Sequence, residues 1–466
     1  MRHIPCPPFH LTLRQERLTR LALVAASAAA FAACTSDRTT SPANNLSAGN
    51  ALADRGAGQL GQSVPAVVSV DVIPLAPNDV LASVNGVSVL NGGFGSAIDK
   101  PEGGNTDFYS LTDRGPNVDG NGDDKLFPVP AFSPQIGRFR YEGGTLVRRG
   151  VITLKDAFGT PRTGLPIGAS GCGATGEVPK TLDGTTLPFD PNGIDSEGLR
   201  VMGDGSFWVS DEYGPFLTHF DRHGVTLEQN SPCGGPNRLP AVLVHRQANK
   251  GMEGVASILG GTVLVGVMQN PLDNPNRAAA KASRLLRLVF ADVRHHTTRQ
   301  YAYLMDKANY GVSEIEAVSP TRFLVDERDG KFLGDPGGAS VQKKIYLIDI
   351  SGATDISDPA DGSNGLVLGG KTVEQMTDAD LAANQIVPVS KTLVVDMLQW
   401  GYTHDKAEGL VLLDGGRTIG VSNDDDFGVT DDGAGSLLQK LLPSGKVDRN
   451  ELWLFHLNGS LRSNHD

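Results

Sequence analysis

The sequence of 466 residues lacks the motifs by which several common classes of hydrolase are recognised. It has only four cysteines, and none of them has the spacing of a metal site. No His-Glu-x-x-His motif or related histidine spacing occurs, which argues against a zinc enzyme. No Gly-x-Ser-x-Gly elbow occurs, so a serine esterase of the α/β-hydrolase type has no support. Carboxylates remain as the candidates for metal binding and catalysis.

Basic residues are also fewer than acidic residues. The formal net charge of −12 argues against nucleic acid or an anionic membrane as the main partner. An anionic substrate would therefore need local Lys or Arg residues, or a bridging metal ion. Glycine, in contrast, is abundant at 57 residues, which is typical of many tight turns between short strands.

The N-terminus has the pattern of an export signal. Arginines precede an apolar stretch from Leu21 to Ala33, whose 13 residues are too few to span a bilayer as a helix. Small residues directly before Cys34 resemble a bacterial lipoprotein cleavage box. The pattern predicts that residues 1–34 are a signal peptide and that Cys34 carries a lipid anchor in the cell envelope or periplasm. Ordinary cleavage after Ala32 and free secretion are the alternative.

The rest of the chain divides into a tether and a folded domain. Residues 35–64 are rich in Ser, Thr, Asn, Ala and Gly without an apolar period, which predicts a flexible tether. In residues 65–466 short β-type runs alternate with turn signals, which predicts an all-β domain. Cys172 and Cys233 lie in Gly/Pro-rich loops of this domain. In an oxidising compartment they are expected to form a disulfide, with two unpaired thiols as the alternative.

A repeat is the most informative feature of this domain. Four times a Glu followed by a small residue leads through a short β-type run to acidic or amide residues, with the glutamates at positions 197, 253, 316 and 408. Their spacings of 56, 63 and 92 residues suit four-stranded units, the last with an insertion near 330–385 and a short helix near 376–384. Such an array predicts a β-propeller of five to seven blades. Six are favoured, since a sixth unit could lie in the less regular stretches or be completed by the N-terminal strand.

The repeated acidic residues are expected to converge around the propeller axis. A ring of carboxylates is costly unless a cation or ligand compensates it, and hard oxygen ligands suit Ca²⁺ or Mg²⁺. Each motif also has a nearby cation: Arg114, Lys250, Arg328 or Lys406. This combination fits a phosphoester site in which cations hold the substrate and metal polarises it. Blade-packing glutamates and structural ion pairs are the alternative interpretation.

Two further motifs have weaker support. Asp119–Asp124 resembles the start of a calcium loop but lacks the later glycine and glutamate of an EF-hand, so a looser Ca²⁺ site and a plain polar turn both stay open. Gly365–Thr372 matches the phosphate-loop pattern, but no strand precedes it, which argues against a nucleotide site.

Several of these motifs, in this order, resemble the phytase-like family, whose members are described by "esterase-like activity of phytase". The resemblance covers residues 84–457. The motifs that carry it are Asp195-x-Glu-Gly, Phe207-Trp-Val-Ser-Asp-Glu-Tyr-Gly-Pro215, Asn249-Lys-Gly-x-Glu-Gly254, Arg322-Phe-Leu-Val-x-Glu-Arg-Asp329, Lys406-x-Glu-Gly-Leu410 and Asn423-Asp-x-Asp-Phe-Gly428. It implies a propeller-like fold, export, and hydrolysis of esters or phosphoesters with a divalent metal. The sequence departs from the family pattern at Gln269 and Asn270, where no carboxylate follows the strand.

The repeat and the resemblance together give a set of candidate site residues. The candidate catalytic carboxylates are Glu197, Glu253 and Glu408. The candidate substrate-binding cations are Arg114, Lys250, Arg328 and Lys406. The candidate metal ligands, for Ca²⁺ in the first place, are Asp113, Asp211, Glu212, Glu316, Glu327, Asp424 and Asp426.

The sequence thus predicts an exported, monomeric, metal-dependent hydrolase acting on a small anionic ester, in the first place a phosphate ester. Two alternatives remain. One is a calcium-stabilised propeller that binds a ligand without chemistry, and the other is a lactonase or carboxylester hydrolase.

Overall fold

The computed structural model describes residues 64–101, 106–234 and 238–462. The predicted signal peptide, the lipidation site Cys34 and the predicted tether up to residue 63 lie outside the described residues, so those predictions are not tested.

Five four-stranded antiparallel blades make up the body of the described chain. Each blade is named here from its innermost to its outermost strand. Blade 1 consists of Ala97–Asp99, Asp107–Leu111, Gln135–Glu142 and Thr145–Thr153, and blade 2 of Ser196–Val201, Phe207–Asp211, Phe216–Phe220 and Thr226–Asn230. Blade 3 consists of Met252–Ile258, Val263–Met268, Leu285–Asp292 and Thr297–Leu304, and blade 4 of Gly311–Ala317, Arg322–Arg328, Lys343–Asp349 and Ser390–Asp396. Blade 5 consists of Gly409–Leu413, Thr418–Ser422, Glu451–Leu457 and Val67–Ala76.

The blades close into a ring. Each innermost strand contacts the innermost strands of both neighbouring blades, including that of blade 5 with that of blade 1. A separate apolar cluster fills each of the five blade–blade interfaces, for example Phe290 and Tyr301 against Phe323 between blades 3 and 4. The all-β propeller prediction is confirmed. Radial repetition of this kind leaves few exposed strand edges.

The number of blades is five rather than the favoured six. The N-terminal strand Val67–Ala76 pairs antiparallel with Glu451–Leu457 and so becomes the outermost strand of blade 5 instead of starting a blade of its own. Its last residues also pair in parallel with Thr145–Thr153 of blade 1. The N-terminal and C-terminal ends of the domain therefore close the ring together.

The insertion predicted near 330–385 is divided by a strand. The third strand of blade 4, Lys343–Asp349, separates a loop at 329–342 from a longer excursion at 350–389. The excursion carries the predicted short helix, which spans Asp378–Ala383. It is anchored to blade 3 by a buried ion pair between Arg287 and Glu374, with Nη2 and Oε1 2.7 Å apart.

The remaining described elements are small. A three-stranded sheet consists of Val118–Asp119, Asp124–Leu126 and Val178–Lys180. Three two-stranded hairpins are formed by Val80–Val84 with Val87–Leu90, by Val367–Leu368 with Lys371–Thr372, and by Val429–Asp431 with Leu437–Gln439. The helical segments are Arg277–Ala282 and the 3₁₀ turns Ala241–His245, Leu259–Gly261, Val373–Gln375, Met397–Trp400 and Asp426–Gly428. None of the helices in the described ranges is long and apolar enough to cross a membrane.

These elements account for the two weaker motifs. Asp119 and Asp124 form ion pairs with Lys125 and Lys180 within the three-stranded sheet, as a polar turn would. Gly365–Thr372 forms one of the hairpins rather than a loop at the start of a helix.

A charged cluster crosses the central channel between its two ends. Arg200 reaches from blade 2 across to blade 4, where its Nη2 donates to the Ile315 carbonyl at 2.7 Å and pairs with Glu316 at 2.9 Å. Asp99 of blade 1 lies 3.6 Å from Nη1. The channel therefore has two separate mouths. We call the one where the innermost strands begin the acidic mouth, and the one where they end the opposite mouth.

A disulfide joins Cys172 to Cys233, 61 residues apart in sequence. It ties the long connection between blades 1 and 2 to the segment that follows the last strand of blade 2. Replacing both cysteines by serine is expected to lower the free energy of unfolding by about 2–4 kcal/mol, because the unfolded chain loses a covalent loop. Urea denaturation of the double variant measures this. An unchanged unfolding free energy would show that the connection is held by its non-covalent contacts alone.

Candidate functional site

The acidic mouth contains a polar cavity of about 470 Å³. Its wall consists of residues at the beginnings of the innermost strands and residues that follow the second strands. The charged side chains that line it are Asp113, Arg114, Lys125, Asp195, Glu197, Glu212, Lys250, Glu253, Arg328, Asp329, Lys406, Glu408 and Asp426. The structure thus brings together carboxylates and cations that lie up to 313 positions apart in the sequence.

The Glu-Gly pairs of the repeat have a packing reason. A β-carbon on Gly198 would lie 2.7 Å from the backbone nitrogen of Val255 in the next blade. One on Gly409 would lie 2.8 Å from the backbone nitrogen of Ile98. Only glycine allows the innermost strands to approach this closely around the axis. The preceding glutamate is left at the rim, where its side chain faces the cavity.

One carboxylate cluster at this mouth is formed by Asp195, Glu197 and Glu212. Each offers an oxygen, and these oxygens lie within 4.8 Å of one another. Burial raises the pKa of Glu197 well above its usual value, and the negative charges of Asp195 and Glu253 raise it further. Among the described residues, no hydrogen bond or ion pair to the Glu197 carboxylate is found. The cluster is therefore short of positive charge.

Glu253 extends this cluster from blade 3. The amide nitrogen of Gln269 donates to Glu253 at 2.6 Å and to Glu212 at 2.9 Å, so one side chain links two carboxylates. The second oxygen of Glu253, Oε2, is buried and has no hydrogen-bond partner among the described residues. Burial, followed by the negative charge of Glu408, raises the pKa of Glu253 to about 8.

Glu408 is compensated by an arginine. Nη2 of Arg328 donates to its Oε1 at 2.6 Å, while Nε of Arg328 donates to the Ser313 hydroxyl at 2.8 Å. Burial acts to lower the pKa of Arg328, but Glu408 outweighs it and keeps the guanidinium charged. Oε2 of Glu408 is buried and has no partner in the described ranges of the chain.

A second carboxylate cluster consists of Asp113, Asp424 and Asp426, again with oxygens within 4.8 Å of one another. Unlike the first, it is filled by lysine. Nζ of Lys406 lies 2.8 Å from Asp424 and 2.6 Å from Asp426, and Lys440 lies 2.6 Å from the other oxygen of Asp426. Burial acts to raise the pKa of Asp426, but the two lysines hold it far below its usual value.

Two cations of the cavity retain donor capacity. Nζ of Lys250 donates only to the neutral Gln269 side chain, at 2.6 Å, among the described residues. Arg114 pairs with Glu177 through Nη1 at 2.8 Å and with Asp195 through Nε at 3.3 Å. Its Nη2 has no recorded acceptor in the part of the chain that the structure describes.

Three candidate metal ligands lie in neither the wall nor the two carboxylate clusters of the acidic mouth, in contrast to the prediction that all of them converge there. Glu316 is at the opposite mouth, paired with Arg200. Glu327 is buried and bonded to Lys391 and Tyr303. Asp211 is buried behind the cavity wall, where its Oδ1 accepts from the backbone N–H groups of Asp195 and Tyr213.

The misplacement of Glu316 has a clear cause. The innermost strands of blades 2, 3 and 4 each carry a β-bulge near their start. Aligned on this shared bulge, the position that Glu197 and Glu253 hold is Ser313 in blade 4, not Glu316. Glu316 merely repeats the Glu-small residue pattern three positions further along the strand.

Other residues of the site were absent from the predicted set. Asp195 belongs to the first cluster, and its sequence signal was its place two residues before Glu197. Gln269, which appeared as a departure from the family pattern, bridges two carboxylates. Lys440 follows a hairpin inserted between the second and third strands of blade 5, and no repeat signal marks it.

The first cluster fits a hard divalent cation. Calcium binds carboxylate oxygens at 2.3–2.6 Å, so ligands around one ion lie up to about 5 Å apart, as the three oxygens here do. The buried, unpartnered oxygen of Glu253 is the second observation in favour of a cation. Asp195, Glu197 and Glu212 would hold the ion.

The protonation of Glu253 leads to a prediction. Because its folded pKa of about 8 lies above its ordinary value of 4.5, the folded state holds this proton more tightly. Its contribution to stability is complete below about pH 4.5 and is lost as the pH rises through 8, by at most about 1.4 kcal/mol per pH unit. Urea denaturation in EDTA should show this slope between pH 5 and 8. Glu253→Gln should reduce it, and a slope unaffected by this substitution would contradict the assignment.

A five-bladed propeller with a carboxylate-rich cavity at one mouth is the class of protein that the fold and this site define. The family described as "Phytase-like: Esterase-like activity of phytase" matches residues 90–427, and the chain belongs to that family.

One curated relative is an "Uncharacterized secreted protein" of Arthroderma benhamiae, 29% identical over 186 residues. The match covers 32% of this chain and 36% of the relative, so the chain spans about a third of that protein's length. Among solved structures, the Cps50 (Swd1) β-propeller domain of Myceliophteria thermophila has a TM-score of 0.28 at 9% identity, over 72% of this chain and 64% of that chain. A protein from Lactobacillus plantarum has a TM-score of 0.32 at 10% identity, over 79% and 89%. The fold assignment rests on strand order rather than on these scores.

Proposed function

We propose that this protein is an exported hydrolase that uses a divalent cation, in the first place Ca²⁺, to cleave phosphate esters at the acidic mouth. The observation that carries the proposal is the composition of one cavity. A cluster of three carboxylates with a single ion pair, from Arg114 to Asp195, lies beside Lys250, and both cations have donors to spare. A divalent cation would bind the carboxylates, and an anionic substrate would bind the lysine and the arginine.

Different residues would bind the cation and the substrate. A divalent cation held by Asp195, Glu197 and Glu212 would polarise the phosphoryl oxygens and lower the pKa of a water molecule. Lys250 and Arg114 would bind the anionic group of the ester.

Glu253 would act as the general acid. Its raised pKa lets Oε2 hold a proton near neutral pH, so it can donate that proton to the leaving oxygen. Gln269 would fix the Glu253 carboxylate by its hydrogen bond to Oε1.

Export is part of the proposal, with three supports. The N-terminal sequence has the pattern of a signal peptide, the matched relative is named as secreted, and a disulfide joins Cys172 to Cys233. Disulfides persist in oxidising compartments outside the cytoplasm. A lipid anchor at Cys34, and so a place at a bacterial cell envelope, is the finer part of this proposal.

The test is an assay of the purified protein against p-nitrophenyl phosphate, bis-p-nitrophenyl phosphate, phytate and p-nitrophenyl acetate, after EDTA and after return of Ca²⁺, Mg²⁺ or Mn²⁺. Turnover of a phosphate ester that EDTA abolishes and a cation restores is expected. Turnover of the acetate alone would instead favour a carboxylester hydrolase. Cation-dependent thermal stabilisation without turnover of any ester would favour a binding module.

A further inference from the structure

The two carboxylate clusters of the acidic mouth differ in how their charge is compensated. Both line or adjoin the same cavity and each could bring three oxygens around one ion. The backbone joins them, since the N–H group of Arg114, the residue next to Asp113, donates to Asp195 at 3.1 Å. Two adjacent sites of this kind are the arrangement in which two-metal hydrolases hold a pair of ions.

Lysine already occupies the centre of the second cluster. Nζ of Lys406 contacts Asp424 at 2.8 Å and Asp426 at 2.6 Å, distances of charge-assisted hydrogen bonds. Two carboxylates on one Nζ fix this side chain as the positive charge of the cluster. A metal ion could enter only by displacing this group.

A second lysine completes the compensation. Nζ of Lys440 lies 2.6 Å from Asp426 and 2.9 Å from Asp405, and its side chain is 4% exposed. Asp426 thus has a lysine on each of its oxygens. The first cluster has no comparable lysine. Glu197 has no ion pair among the described residues, and of the three carboxylates in this cluster Arg114 pairs only with Asp195.

We propose that Lys406 takes the place of a second metal ion, so that the acidic mouth binds one divalent cation, at Asp195, Glu197 and Glu212. The proposal rests on the proposed function, because it assumes that a cation binds this cavity. It also revises the role of Lys406. The side chain is a resident positive charge, fixed by two aspartates, rather than a free group for capturing substrate. With 29% of that side chain exposed, the charge still faces the cavity.

The consequence for catalysis is a division between one metal and one ammonium. A two-metal site clamps the attacking and the leaving oxygen with one ion each. Here the ammonium of Lys406 would supply the second positive charge. An ammonium is a compact point charge with three donors, so it can hydrogen-bond an anionic oxygen while two donors stay on Asp424 and Asp426.

Mn²⁺ binding to the purified full-length protein tests the proposal, by isothermal titration calorimetry for stoichiometry and by electron paramagnetic resonance for coupling between ions. The wild-type protein should bind one Mn²⁺ in the cavity with an uncoupled spectrum. Lys406→Ala removes the ammonium and leaves its carboxylates, so it should bind a second ion and show a spin-coupled pair. Lys250→Ala is the matched control, since this cavity lysine bonds only to an amide, and it should still bind one ion.

Each outcome of these measurements supports or contradicts the proposed role of Lys406. Two coupled ions in the wild-type protein would overturn the proposal, and so would one ion in both the wild-type protein and Lys406→Ala. Lys406→Gln, which keeps a hydrogen-bonding side chain and loses only the charge, repeats the test if the alanine variant does not fold. No Mn²⁺ binding by the wild-type protein would instead contradict the metal dependence of the proposed function itself.

Discussion

Glu197→Gln is expected to lower the affinity of the protein for Ca²⁺ by about 100-fold or more, and phosphate-ester turnover with it. The change removes one full ligand, and even outer-sphere partners of a metal are worth 10–100-fold in affinity or activity. The fold should persist in EDTA. Glu197 has no stabilising partner to lose among the described residues, and the variant relieves its repulsion with Asp195. Calcium titration and thermal unfolding with and without Ca²⁺ measure these effects.

Glu316→Gln is the matched control for this prediction. Glu316 belongs to the same sequence repeat but lies at the opposite mouth, paired with Arg200. Its replacement should leave Ca²⁺ affinity unchanged. Equal loss of affinity in both variants would mean that the two mouths are not independent sites, and unchanged affinity in Glu197→Gln would remove Glu197 from the cation site.

Arg200→Met is expected to lower the free energy of unfolding by about 3–5 kcal/mol. Arg200 is 4% exposed and links three blades, since it contacts Asp99 of blade 1 and the carbonyl of Ile315 in blade 4. Methionine would leave the mostly buried carboxylates of Glu316 and Asp99 without their counter-charge, which is the costly way to break an ion pair of low exposure. The measurement is urea denaturation of both proteins.

Arg140→Met provides the control, because it also removes one arginine that pairs with an aspartate. Arg140 and Asp107 are about half exposed on the outside of blade 1, and exposed ion pairs add little to stability. That variant should unfold at the same urea concentration as the wild type. If Arg200→Met did so too, the contacts of Arg200 across the channel would be incidental to the stability of the ring.

Much of this architecture could be predicted from sequence because the propeller repeats one local pattern. A glutamate before a glycine marks three of the five points where innermost strands approach closely, and the structure places these glutamates, Glu197, Glu253 and Glu408, at the cavity. The same pattern misled at Glu316, because blade 4 has Ser313 at the equivalent position and Glu316 lies three residues further along its innermost strand. The Glu-small pattern carries no information on the strand register that sets this position.

Other features depend on contacts between distant parts of the chain. The blade count depends on where Val67–Ala76 pairs, and β-propensity cannot say whether a terminal strand completes an old blade or starts a new one. The two lysines of the second cluster show the same limit. Lys406 lies in a repeat and could be noticed, but its role depends on Asp426 and on Lys440, which lies outside every repeat. A candidate list from sequence therefore names carboxylates and nearby cations, but not which of them pair.

Anomalous diffraction from crystals soaked in Mn²⁺ would test the central claim most directly, because it locates the ion. The account predicts one strong peak at the acidic mouth, bonded by Asp195, Glu197 and Glu212. It also predicts the ammonium of Lys406, not a second peak, between Asp424 and Asp426. A peak at the second cluster, a peak at the opposite mouth beside Glu316, or none at either mouth at saturating Mn²⁺ would contradict it.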